Sequence, residues 1–139
     1  MSVAIAHQIN QASDVVLAAA VAEASVRGTT LVVLHVVTSK DLDIEEALGQ
    51  GIGDLVAATV AAHGDAELSW EVKVVAAEDS GIEQTAAAIL DAVDKIGAEL
   101  LVIGARRRSP VGKAFLGSIT QELLLDSSVP VLVVKAAVG

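Results

Sequence analysis

Five short apolar runs recur along this chain, and every gap between them carries residues at helical spacing. The runs are Val3–Ala6, Thr30–Val37, Leu68–Ala77, Leu100–Ile103 and Val129–Lys135. Apart from Leu68–Ala77, they read as near-continuous Val, Leu and Ile rather than as an apolar-polar alternation, the pattern of parallel strands buried on both faces. Pro130 stands at the beginning of the last run, where a missing N–H is tolerated. The first gap is a helix capped by Ser13 or Asp14, with Val15, Ala19, Ala22 and Val26 on one face and Gly28 as its stop. The second reads as a helix from Asp41 to about Ala62, through Ile44, Leu48, Ile52, Leu55 and Thr59. Gly49, Gly51 and Gly53 each cost that helix about 0.8–1 kcal/mol against Ala, which predicts the least regular part of the fold there. The third opens on a capping box, Ser80-Gly-Ile-Glu83, and carries the stripe Ile82, Ala86, Ile89, Val93 and Ile96. The fourth opens on another, Ser118-Ile-Thr-Gln121, and runs to about Asp126.

The order β-α-β-α-β-α-β-α-β, without a linker or internal repeat, predicts a single α/β domain over residues 1–139. Its architecture is a three-layer open sandwich, a five-stranded parallel sheet with helices on both faces and right-handed crossovers. The 139 residues are enough for one real core. Apolar residues make up 53% of the chain, yet no stretch reaches the roughly 18 residues that cross a bilayer, so no membrane partner is expected. The absence of Cys removes disulfide and thiol chemistry. The opening Met-Ser-Val-Ala-Ile-Ala has no basic region of the kind that begins a signal peptide, so a cytoplasmic location is expected. A net charge of -9 argues against nucleic acid as a partner, because phosphate backbones need a basic face.

Against that acidic background, four of the nine Lys and Arg residues, Arg106, Arg107, Arg108 and Lys113, fall between Gly104 and Ser118. This segment leaves the fourth strand and enters the fourth helix. A strand, a Gly-rich basic loop and a helix N-terminus together suit an anion, since free backbone N–H groups and the helix dipole both favour negative charge. In open parallel sheets ligands also sit beyond the carboxyl ends of the strands, where this loop begins. It is not a phosphate loop of the Walker type: Gly112-Lys113 is present, but Arg107 and Ala114 stand at two defining positions. No dinucleotide glycine fingerprint follows the first strand, residues 7–10 lack the acids of a receiver domain, and there is no Gly-x-Ser-x-Gly elbow. His35 reads as a core histidine within a strand, His63 as a helix end, and no His, Asp and Glu spacing suggests a metal.

The spacing Gly104, then Arg107 at the place of a second glycine, then nine residues to Gly117-Ser118 resembles the Gly-x2-Gly-x9-Gly-Ser/Thr motif of the universal stress proteins. The resemblance extends over the chain, through Leu34-His35-Val36-Val37 and the closing Val129-Pro-Val-Leu-Val-Val-Lys135. It implies a Rossmann-like sheet of the adenine nucleotide alpha hydrolase type, in strand order 3-2-1-4-5. It also implies a stress-response module that binds ATP or a related adenine nucleotide, with Mg²⁺ accompanying ATP, and signals by conformation rather than by catalysis. In that reading Gly104, Arg107, Gly117 and Ser118 hold the phosphates, while Arg106, Arg108, Gly112 and Lys113 shape the local charge and backbone. His7, where the family usually has Asp, and Val36 and Val37 lie near the adenosine. The alternative is a family member that has lost nucleotide binding and works as a dimeric interaction module, for which Arg107, Pro110 and His7 speak. In both, the apolar edge Val131–Val134 is the expected homodimer contact.

Overall fold

The computed structural model describes residues 1–7, 13–38, 45–64, 67–77, 81–107, 114–115 and 118–135. In chain order the elements are β1 (Ser2–His7), α1 (Ser13–Arg27), β2 (Thr30–Thr38), α2 (Glu45–His63), β3 (Trp70–Ala77), α3 (Ile82–Ile96), β4 (Ala98–Arg107), β5 (Ala114–Phe115), α4 (Ser118–Asp126) and β6 (Val131–Lys135). Five strands form a parallel sheet in the order β3-β2-β1-β4-β6, which is the expected 3-2-1-4-5. The two-residue β5 was not foreseen; it pairs antiparallel with the end of β4.

Alternate residues of each strand enter two separate cores, as the period of a strand requires. Val3, Ile5, Leu31, Val33, Leu100 and Val102 meet Val16, Leu17, Val21, Ile52 and Val56 of α1 and α2. Ala4, Val32, Leu34, Leu101 and Ile103 meet Ala86, Ile89, Val93 and Leu123 of α3 and α4 on the opposite face. The sheet is therefore sandwiched by two helix pairs, and the chain changes sides between β1 and β4.

Helix ends follow the glycines. Gly28 has φ 63, and the N–H groups of Gly28 and Thr29 bond back to the carbonyls of Ser25 and Ala24 at 3.2 and 3.1 Å, closing α1 in a Schellman motif. Gly97 ends α3 with φ 64 and ψ 41.

Three local expectations are corrected. The buried face of α1 is Val16, Leu17, Ala20, Val21 and Ala24, while Val15 and Val26 are 48% and 86% exposed. This helix is apolar on almost every side, so spacing alone allows two stripes, and the larger area gained by burying Leu17 with Val16 and Val21 selects the second. Helix α2 runs unbroken through Gly49, Gly51 and Gly53. Ile52 and Val56 anchor it in the core, and packing outweighs the propensity deficit. The N-cap of α3 is Gly81, with no side-chain cap bond, and not the Ser80 that the predicted box used, which lies outside the described residues.

Candidate functional site

The carboxyl edge of the sheet is assembled from the middle strands outward. Ile5 of β1 pairs with Val102 of β4, so two residues further along each strand His7 and Gly104 reach the same level. At that level His7 also pairs with His35 of β2, and Gly104 with Val134 of β6. The switch between the two helix faces lies between β1 and β4, the place where such sheets open a crevice. Four strands thus bring the candidate residues His7 and Gly104 to one edge, with Val36 and Val37 immediately beyond His35 on β2. Val36 is half-buried against the α3 side and pairs with Val75.

Gly104 is a junction between elements. A Cβ built on it would lie 2.8 Å from Val16 Cγ2, so the absent side chain is the space that lets α1 pack onto β4. Its carbonyl accepts a 3.3 Å hydrogen bond from Thr120 Oγ1 in the first turns of α4. Leu123, 2% exposed, and Ile119 dock the same helix into the core on that face. The opening of α4 at Ser118, with its unsatisfied N–H groups and positive dipole end, is in this way tied to the end of β4.

Arg106 and Arg107 belong to β4 rather than to the loop, because β4 continues past its parallel neighbours into a short hairpin. Arg106 pairs with Phe115 and Arg107 with Ala114. Among the described residues no non-glycine residue has a positive φ, so the arginine at the motif's second glycine position sits in relaxed, extended backbone. Arg108, Gly112, Lys113 and Gly117, and with them Pro110, lie outside the described residues.

Charge elsewhere is arranged differently. Glu122 of α4 has its carboxyl raised above the usual range, first by a hydrogen bond with Asp126 one turn on, with desolvation and the charges of Asp126 and Glu83 adding to it. Arg27 lies 3.4 Å from Glu23 and 3.3 Å from Glu99 at the amino end of β4, far along the strand from Gly104. A cleft of about 410 Å³ at that same amino end is lined by Ser25, Thr29, Glu67 and Ser69. It is at the opposite end of the strands from His7 and Gly104. Among the described residues no cluster of three or more His, Cys, Asp or Glu could hold a metal, and no helix is long and apolar enough to cross a membrane. His35 is buried in β2 and His63 closes α2 at the surface, as their sequence contexts suggested.

The arrangement matches a known set of proteins. The model of the Universal stress protein family covers residues 2–135. The chain belongs to the universal stress protein family. A universal stress protein of Mycolicibacterium smegmatis is 44% identical over an alignment of 107 positions that covers 66% of this chain and 82% of that protein. Among solved structures, a universal stress protein in complex with cAMP superimposes with a TM-score of 0.71 at 19% identity, covering 99% of this chain and 98% of the other. Another, from Archaeoglobus fulgidus in complex with dAMP, gives 0.67 at 18% identity, covering 95% and 94%. At these identities the likeness concerns the fold alone, an open parallel sheet with helices on both faces. Two contributions to the site were not read from the sequence. In the sequence Thr120 is only the interior of a capping box, and β5 is too short to leave a periodic trace. The spacing of Thr120 two residues after Gly117-Ser118, on the core side of α4, was the available clue.

Proposed function

We propose that this universal stress protein binds an adenine nucleotide at the carboxyl edge of its sheet and acts by conformational signalling. The observation that carries the reading is the Gly104 junction, which ties the start of α4 to the end of β4 at the level of His7. The phosphates are assigned to Gly104, Arg107, Gly117 and Ser118. Backbone N–H groups at the α4 opening supply oriented donors, and the guanidinium of Arg107 adds charge where a glycine would offer only backbone. Arg106, Arg108 and Lys113 raise the local potential of an otherwise acidic chain, with Gly112 leaving the loop backbone free to approach. The adenosine is assigned to the His7, Val36 and Val37 side of the crevice. The nucleotide complexes of the cAMP- and dAMP-bound family members support this choice of ligand class. ATP is the proposed form, and it would bring Mg²⁺ through its own phosphate oxygens. The residues assigned here bind and orient; none is assigned as a general base, so turnover of ATP is slow at most. The work of such a module takes place in the cytoplasm and in response to stress.

The module is proposed to act as a homodimer through Val131–Val134. Among the described residues β6 borders only β4 in the sheet, and its four apolar residues are each half-buried, which suits an edge available for pairing. The same edge serves the alternative in which nucleotide binding is lost and protein contact alone remains. The relaxed backbone at Arg107 favours the nucleotide reading, because one of the three residues that spoke against it introduces no strain. Calorimetric titration with Mg-ATP tests the site: Gly117→Val abolishes the heat of binding seen with the unaltered chain. Equal affinity in that variant contradicts the assignment. Sedimentation at micromolar concentration tests the dimer, and a monomer there refutes it.

A further inference from the structure

We infer that Thr120 is the positioning residue of the phosphate site, acting through the Gly104 carbonyl and not through the ligand. Threonine hydroxyls inside helices ordinarily bond the carbonyl one turn back. Thr59 does so in α2, where its Oγ1 donates to the Leu55 carbonyl at 2.8 Å. Thr120, the third residue of α4, instead donates to the carbonyl of Gly104, sixteen residues away on β4. One half-buried hydrogen bond thus spans the whole Gly104–Ser118 motif and joins its two ends.

Both anchors of the clasp are fixed. Gly104 is held by pairing with Val134 and by the close approach of Val16. On the helix side, Leu123 and Ile119 flank Thr120 and are set into the core. Those apolar contacts fix the axis of α4 but tolerate small rotation and sliding, whereas a directional bond to a strand carbonyl sets how far the helix opening stands from the strand end. A phosphate reads that separation through the N–H groups at Ser118 and its neighbours. The inference rests on the adenine-nucleotide reading above and assigns a residue that reading does not use.

The test compares Thr120→Val and Thr120→Ser with the unaltered chain. Val keeps the volume and removes the donor; Ser keeps the donor. Mg-ATP and phosphate-free adenosine are titrated by calorimetry, and amide exchange is followed without ligand at Glu122 and Leu123, the first α4 amides with carbonyl partners inside the helix. Thr120→Val is expected to weaken ATP roughly three- to tenfold, the range one hydrogen bond supplies, while adenosine is unchanged and the two amides exchange faster. Thr120→Ser restores ATP affinity to within about twofold. Unchanged ATP affinity in Thr120→Val, or equal losses for ATP and adenosine, overturns the positioning role while leaving the nucleotide reading intact. No ATP binding by the unaltered chain overturns both.

Discussion

Replacing Gly104 with alanine places a methyl group 2.8 Å from Val16 Cγ2, about 1 Å inside ordinary carbon–carbon contact. Val16 has little freedom to yield. It is 6% exposed, and a β-branched side chain in a helix holds one χ1 rotamer about nine times in ten. The backbone of Gly104 contributes nothing to the cost, since its φ is not among the positive ones. The loss is then the overpacking of a tight contact, about 1–3 kcal/mol, or roughly 3–10 °C in Tm at this chain length. Val16→Ala alone removes two methyl groups and costs about 1.5–3 kcal/mol with the cavity it leaves. In the Val16→Ala background, however, Gly104→Ala should cost less than about 0.5 kcal/mol, because the opposing atom is gone. Urea unfolding of the four proteins in this cycle measures the coupling. An equal cost of Gly104→Ala in both backgrounds, or no cost in either, would refute the claim that Gly104 is bare in order to admit α1.

Three further predictions bear on the fold and its charge. Leu17→Ala should lose about 2–5 kcal/mol by denaturant unfolding, whereas Val26→Ala should change stability by less than about 0.5 kcal/mol; comparable losses would mean α1 is turned the other way. Gly28→Ala should cost about 1–2 kcal/mol from its left-handed backbone alone, and Gly51→Ala should gain about 0.5–1 kcal/mol, since neither methyl meets a neighbour within 4 Å. Two losses in the same thermal melts would contradict the regular course of α2 at Gly51. Glu122 carries a raised carboxyl, so its contribution to stability is present when it is protonated and is lost as pH rises through that raised value. Glu122→Gln should therefore raise Tm at neutral pH, with the advantage shrinking as pH falls and Glu122 becomes protonated; an advantage independent of pH would exclude the Glu122–Asp126 pair as its cause.

The layers of this fold were legible because β1, β2, β6 and the sheet-centre part of β4 are dense aliphatic runs and α3 carries a well-separated stripe. Ala86, Ile89 and Val93 are buried as the spacing required. The face of α1 was not legible for the opposite reason: Val, Ala and Leu surround that helix, and only the sheet decides which side is inward. The three glycines of α2 carried a correct local cost that Ile52 and Val56 override from outside the segment. For the candidate site, the Gly104-to-Ser118 spacing pointed to the family whose model covers residues 2–135, and α4 runs over the expected Ser118–Asp126. The extension of β4 through Arg107 depends on pairing with Ala114 and Phe115, a contact between residues that no periodicity links. The Thr120 bond is equally non-local, and a sequence offers only a hydroxyl without naming its acceptor.

Thermal unfolding with and without Mg-ATP, with Mg-GTP and Mg-phosphate as controls, tests the central claim most directly. A ligand at about 100 times its Kd stabilises the folded chain by about 2.7 kcal/mol, a rise of several degrees in Tm at this size. The account predicts that rise with Mg-ATP and none with Mg-GTP or Mg-phosphate. An unchanged Tm with millimolar Mg-ATP, or an equal rise with phosphate alone, would contradict an adenine-nucleotide site at this sheet edge.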